Sequence, residues 1–225
     1  MVEASVNCEL INTRSVPRWT VRRYRDADKN AVWRVHDRSL RDSAMRYSPE
    51  YNRYLRHIPT EFLEREGEFL VVTDNATAAN ATIVDRLHAR TNGIAGIGGF
   101  QPLARSKADD SAIRRARDAD ASTAHVRSVA VLPEVQSTGV GTVLMSALEK
   151  RAADRGFTQA VLSTPVELTD AHGFCESRGY RVVPMPPDRD GGTDRNESVV
   201  GNVHVEGETD ADAAPEYYWY RKSGV

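Results

Sequence analysis

Residues 124–156 read AHVRSVAVLPEVQSTGVGTVLMSALEKRAADRG, and the punctuation of this stretch divides it into three parts. Val126 to Val131 is an apolar run rich in β-branched residues, which predicts a strand. Leu132, Pro133 and Glu134 end the run and lead into Gln136-Ser137-Thr138-Gly139-Val140-Gly141. Beyond it Val143, Leu144, Ala147, Leu148 and Ala152 recur at helical spacing as far as Gly156, a C-terminal cap. The expected unit is strand, glycine loop, helix. Such a loop aims several backbone N–H groups and the positive end of a helix dipole at one point, a fitting seat for a pyrophosphate. Gly139 and Gly141 carry no side chains that would hold a phosphate away from the backbone. The P-loop is excluded because no Lys-Ser or Lys-Thr follows the second glycine, and the three-glycine dinucleotide spacing is absent.

The whole string, Val129-Ala130-Val131-Leu132-Pro133-Glu134 followed by Gln136-x-x-Gly139-x-Gly141 and an amphipathic helix, resembles the acyl-CoA-binding core of the GNAT superfamily of N-acetyltransferases. Ala171-x-x-Phe174-Cys175-Glu176-x-x-Gly179-Tyr180 resembles the family's next helix, so two motifs stand in the family's order. With a first and a last strand, the resemblance covers roughly residues 19 to 183 and 215 to 222. It implies an α/β fold, a mixed, mostly antiparallel, V-splayed sheet flanked by helices. It also implies acetyl-CoA as the acyl donor. Gln136, Ser137, Thr138, Gly139, Val140, Gly141 and Thr142 would then hold the pyrophosphate, and Val129, Ala130 and Val131 the pantetheine arm.

The implied reaction is direct attack of an amine on the thioester. It needs a base for the amine proton, an N–H donor for the developing oxyanion and an acid for the departing thiolate. A backbone amide near Val131 would serve the oxyanion. His125 is the candidate base: it stands where one branch of the family carries a catalytic Glu and another a His, and a free imidazole near pKa 6.5 accepts protons at neutral pH. Strand alternation places Arg127 and Val129 on the same face as His125, so Arg127 suits an acidic or carboxylate-bearing acceptor. Cys175 stands where many relatives carry a Tyr facing the coenzyme sulfur, and is the candidate acid; Tyr47, Tyr51 and Tyr54 offer hydroxyls from another element. Leu168 replaces an Asn that touches the cofactor in many relatives. The alternative to an enzyme is an acyl-CoA-binding regulatory or scaffolding domain that has lost catalysis, and a third reading is an unrelated nucleotide-binding domain.

Outward from this core, Trp19 to Tyr24 alternates as a strand, Asp26 and Asp28 supply a turn, and a helix follows from about Lys29 to Leu40. Residues 41–58 mix Tyr and Arg; in the family this region shapes the acceptor site, which makes Tyr47 and Tyr51 candidate substrate contacts. A short helix at 59–64, a strand at 69–72, a polar hairpin insertion at 74–85 and a glycine-bearing strand at 93–100 come next. Polar insertions are expected near 104–122, with a helical turn at Ala112 to Arg117, and at 188–214; Tyr217 to Lys222 closes the sheet. Trp33, Phe62, Phe157, Phe174 and Trp219 are expected in the core. One N-acetyltransferase domain at 19–222 behind an irregular lead-in at 1–18 accounts for the 225 residues.

A net charge of −2 and a pI near 6.3 give no basic field for nucleic acid or an anionic membrane. The two cysteines form no disulfide framework, and the histidines lack metal-ligand spacing, so no metal is expected. Residues 1–12 lack a basic start followed by an apolar run, and no stretch reaches membrane-spanning length, so the expected location is the cytoplasm. The partner is a small-molecule amine or a protein or peptide amine, and the chain is expected as monomer or homodimer.

Overall fold

In the computed structural model, which describes residues 18–43, 49–74, 91–106, 121–183 and 217–225, the apolar run ahead of the glycine loop is the central strand of seven. In chain order the elements are β1 (Trp19–Arg23), α1 (Lys29–Arg41), a 3-10 stretch (Pro49–His57) running into the short helix α2 (Ile58–Glu61), β2 (Glu68–Asp74), β3 (Ile94–Pro102) and β4 (Thr123–Val131). They continue with α3 (Val140–Asp154), β5 (Gln159–Pro165), α4 (Thr169–Ser177), β6 (Arg181–Val182) and β7 (Tyr217–Ser223). The sheet order is β1-β2-β3-β4-β5-β7-β6, antiparallel throughout except between β4 and β5. That one parallel pair is joined by α3, the helical crossover that a parallel connection requires.

The parallel pairing is short. Thr123, Ala124 and His125 face Gln159, Ala160 and Val161, and then the strands part. Among the described residues, β4 continues to Val131 against β3 and β5 continues to Pro165 against β7. The sheet therefore opens into a V, as expected, with an unpaired strand edge on each arm.

Helices cover both faces. On one face α3 lies so close to β3 that a Cβ at Gly98 would sit 3.2 Å from Leu148 and 3.2 Å from Val129. On the other face a Cβ at Gly99 would meet Phe69 at 2.7 Å and Phe62 at 2.8 Å, so the glycines of β3 serve close packing on both sides. Phe62, Phe69, Phe100, Leu144 and Leu148 are fully buried, each contributing about 1.5–3 kcal/mol of hydrophobic stabilisation. Phe62, Phe157 and Trp219 are buried as expected, whereas Trp33 and Phe174 are half-buried against the core.

Pairing corrects two readings. β3 extends through Gln101 and Pro102, because these face His125 and Ala124 of β4. In β4 the register shifts between Ile97 and Gly99 of its neighbour, leaving Ser128 and Val129 together opposite Gly98, with Ser128 at φ 57°. This bulge breaks the alternation. Arg127 shares the face of His125, but Val129 turns to the α3 face, contrary to the expectation that all three would align. The expected lead-in before Arg18, the hairpin insertion after Asp74, the turn at Ala112 to Arg117 and the excursion at 188–214 lie outside the described residues.

Candidate active site

The loop behind β4 is shaped by its backbone. The Leu132 N–H donates to the Ala95 carbonyl at 2.9 Å and ties the end of β4 to β3. A 3-10 turn, Pro133–Val135, follows, and Ser137 and Gly139 then adopt φ 59° and 93°. At 93° only glycine is free of a Cβ clash, so Gly139 supplies the turn into α3. The loop is pinned from below: Thr138 Oγ1 donates to the Val135 carbonyl at 2.7 Å, and Trp19 Nε1 donates to the Thr138 carbonyl at 3.0 Å. Gln136 Nε2 donates to the Val131 carbonyl at 3.3 Å. Among the described residues no side chain caps α3, so its first turn offers backbone donors and the positive end of the helix dipole. Gln136, Ser137, Thr138, Gly139 and Thr142 are exposed around that turn, while Val140 is buried beneath it. A Cβ at Gly141 would lie 3.3 Å from the Phe174 ring, so α4 flanks the loop.

Val129, Ala130 and Val131 line the β4 arm of the V, with Val129 exposed, Val131 half-buried and Ala130 buried. The open edge presents backbone groups that pairing elsewhere would consume. This set fits a linear ligand with an anionic end: an extended arm against an unpaired strand edge, and the anion at a helix start that no described side chain caps.

The two candidate catalytic side chains lie on opposite faces of the sheet. His125 is 2% exposed; its Nδ1 hydrogen-bonds Ser106 Oγ at 2.9 Å and its ring packs against Trp219 at 5.6 Å. Burial, helped by the positive charge of Arg127, holds it well below the usual imidazole pKa. Cys175 sits under α4 on the side of Thr164, which hydrogen-bonds its thiol, and burial pushes that thiol up to about 11. Nearby, His172 joins Tyr220 Oη to Nδ1 at 2.8 Å, and burial raises Tyr220 to about 12.

Arg127 is half-buried, its guanidinium 4.5 Å from the Tyr54 ring centroid. Tyr54 Oη hydrogen-bonds Ser128 Oγ at 2.9 Å, right at the bulge. Buried Gln101, its amide oriented so that both ends find partners, donates to the Glu61 carbonyl at 2.6 Å and accepts from Ser106 Oγ and Arg127 Nη1, both at 3.2 Å. Because Ser106 gives its proton to Gln101, it accepts from His125, which places the imidazole proton on Nδ1 and the lone pair on Nε2. Of the two expected substrate contacts, Tyr51 belongs to the 3-10 stretch Pro49–His57, and Tyr47 lies outside the described residues. Gln101, Ser106 and Ser128 were not singled out from the sequence. The usable signal was Gln101 itself, a large polar side chain in an otherwise apolar strand; Ser106 and Ser128 gave none. Among the described residues no group of His, Cys, Asp and Glu could hold a metal ion, and no helix is long and apolar enough to cross a membrane.

The fold recurs in solved structures. A GNAT-family acetyltransferase from Staphylococcus aureus Mu50 superposes with a TM-score of 0.60 at 12% identity, covering 91% of this chain and 98% of its own. YncA of Salmonella typhimurium, a putative acetyltransferase solved with acetyl-CoA, gives 0.54 at 15% identity over 92% and 94%. The ribosomal-protein-S18-alanine N-acetyltransferase of Escherichia coli gives 0.54 at 15% identity over 91% and 93%. Among curated proteins no significant match is found. The model of the acetyltransferase (GNAT) family matches residues 33–180, which takes in most of α1, the bulged central strand, the glycine loop and α4, and the chain belongs to that family.

Proposed function

We propose that this chain is an acetyl-CoA-dependent N-acetyltransferase, one catalytic domain over residues 19–222, that moves the acetyl group to an amine by direct attack on the thioester. The observation that carries the reading is the junction of the V with the uncapped start of α3: an unpaired β4 edge leads straight to a ring of free-standing backbone donors. In this reading Gln136, Ser137, Thr138, Gly139, Val140, Gly141 and Thr142 hold the pyrophosphate. Val129, Ala130 and Val131 hold the pantetheine, and a β4 amide near Val131 meets the oxyanion. The amine nitrogen bonds to the carbonyl carbon, the carbon–sulfur bond breaks, the amine proton passes to water, and the thiolate of coenzyme A takes up a proton from water.

The side-chain chemistry is modest. A thiol held near 11 donates a proton uphill to a departing thiolate of ordinary basicity, near 8.5, so in our reading sulfur takes its proton from water rather than from Cys175. His125 is buried and weakly basic, and for it we propose positioning in place of direct proton removal. Arg127 would face the acceptor, and Tyr47 and Tyr51 keep the acceptor-contact roles that the family resemblance gives them. The acceptor is a small amine or the amine of a peptide or protein.

Thermal denaturation with acetyl-CoA, with ATP and NAD as controls, tests the donor. Acetyl-CoA at about 100 times its dissociation constant adds roughly 2.7 kcal/mol of stability and raises the melting temperature. ATP and NAD leave it in place. Release of free coenzyme A on adding an amine panel then separates an enzyme from an acyl-CoA-binding domain without catalysis.

A further inference from the structure

Among the described residues Arg127 differs from the other well-covered arginines in lacking an anion. Arg22 grips Asp28 at 2.6 Å, Arg178 grips Glu149 at 3.0 Å and Arg65 reaches Glu61 at 3.5 Å. Among the described residues no carboxylate lies within ion-pair distance of Arg127, whose partners are the Gln101 carbonyl oxygen and the Tyr54 ring. A half-buried guanidinium without a counter-ion is costly to maintain, and its planar fork matches a carboxylate in two parallel hydrogen bonds. The side chain is also aimed. One N–H is held by Gln101, which is itself fixed by the Glu61 carbonyl and by Ser106, and Ser106 in turn by His125. The flat face is fixed by Tyr54, whose hydroxyl is held by Ser128 in the bulge. These contacts leave further guanidinium N–H groups for a ligand.

Resting on the acetyl-transfer reading above, we propose that Arg127, aimed by the Gln101–Ser106–His125 chain and stacked on Tyr54, anchors the carboxylate of the acceptor, so that the molecule acetylated is an amino acid or a close analogue with amine and carboxylate a few bonds apart. Arg127 immediately precedes the bulge of the strand whose other edge opens into the V, so an acceptor anchored by its carboxylate is held on the strand along which the thioester would lie. Gln101, Ser106 and His125 are positioning residues in this arrangement; Arg127 and Tyr54 touch the acceptor.

The test compares α-amino acids with their carboxamides as acceptors, reading kcat/KM from coenzyme A release. The wild-type protein prefers acids over amides about 10- to 100-fold, and Arg127→Gln brings that ratio close to one. The acetyl-CoA thermal shift in the same variant reports that it is folded. Equal use of acids and amides by the wild type, or a preference that survives in the variant, overturns the proposal. Should Arg127→Gln fail to fold, Arg127→Lys takes its place: it keeps the charge without the fork and lowers the ratio several-fold, and an unchanged ratio overturns the proposal. If no amine releases coenzyme A, the acetyl-transfer reading has failed on its own. Calorimetric binding of the same amino acids then decides: binding to wild type that Arg127→Gln abolishes upholds the anchor, and binding to neither or equally to both removes it.

Discussion

The two flanks of β4 are built by different means. Toward α3 the strand ends in a loop whose form is set by a few consecutive dihedrals: the Leu132 N–H on Ala95, Ser137 and Gly139 in the left-handed region, and a helix start that no side chain caps. Toward α2 the same strand supports a chain of polar side chains, His125 to Ser106 to Gln101 to Arg127, that draws on β3 and the segment after it as well as on β4. The first flank is local backbone geometry and the second is long-range polar complementarity. Damage to the first acts on whatever anion sits at the helix start, whereas damage to the second leaves polar groups buried without partners and acts on the fold and on the acceptor.

Gln101→Leu breaks that contrast most forcefully. It removes, at a fully buried position, the acceptor of two hydrogen bonds and the donor of a third. The substitution leaves the Glu61 carbonyl, the Ser106 hydroxyl and one Arg127 N–H without it, and costs about 3 kcal/mol of folding stability. Denaturant unfolding measures the loss, and the acetyl-CoA dissociation constant of the folded fraction moves by less than about 3-fold because the loop beyond Leu132 makes none of these bonds. A large loss of acetyl-CoA affinity would mean that the flanks are not separable.

The same contrast explains what was legible. Strand, loop and helix around Gly139 could be read because the residues that set their dihedrals adjoin one another, and the family motif follows that local geometry. The mostly antiparallel sheet and the V came with it, since the family pattern orders the strands. The position of His125 on β4 was legible, but its burial was not: Trp219 and Ser106 close over the ring from β7 and from the segment after β3. The facing of Val129 was misread because nothing in the identity of Ser128 announces φ 57°. Arg127 was legible as a charge on the face of His125, but its lack of an anion among the described residues is a property of every neighbour at once.

A second way to sharpen the comparison uses pH, because the buried histidines belong to the side-chain flank and to the helix α1 that covers that face. Burial holds His125 well below 6.5 and His36 at about 4. Below pH 6.5 the unfolded chain binds protons at these histidines that the folded chain does not. Their stability is therefore complete above that pH and declines as pH falls, by about 2 kcal/mol at pH 5 for His36 and in the same direction for His125. The share of His36 stops growing near pH 4. Denaturant titrations at pH 7.5 and pH 5 measure the slope, and replacing both histidines by Gln flattens it. In turnover, His125 contributes no inflection between pH 6 and 7; an inflection there that vanishes in His125→Gln would make it a base after all.

Gly139→Val probes the backbone flank. Nothing lies within 4 Å of a Cβ at this position, so the substitution meets no packing clash and its cost is conformational, from φ 93°. That cost is about 1–2 kcal/mol, felt as roughly 10-fold weaker acetyl-CoA binding, which thermal shift against ligand concentration reads out. The acid-over-amide preference stays as it is, because Arg127 is held from the other side. Loss of that preference in Gly139→Val would join the two flanks.

The smallest effect belongs to Cys175, on the α3 side of the sheet and away from the polar chain around His125. A catalytic acid for sulfur should be no less acidic than the thiol it regenerates. Cys175 at about 11 against an ordinary thiol near 8.5 makes the transfer unfavourable by about 3 kcal/mol. Its hydrogen bond with Thr164 and its place among Tyr180 and Tyr220 make it a packed core residue, with the thiol as its polar tip. Cys175→Ala accordingly lowers turnover by less than about 3-fold, a change smaller than a lost general acid would give. The pH dependence of kcat on the alkaline side keeps its shape. A fall of more than about 10-fold, recovered by Cys175→Tyr, would instead put this position in the path of the proton and move part of the chemistry to the α3 flank.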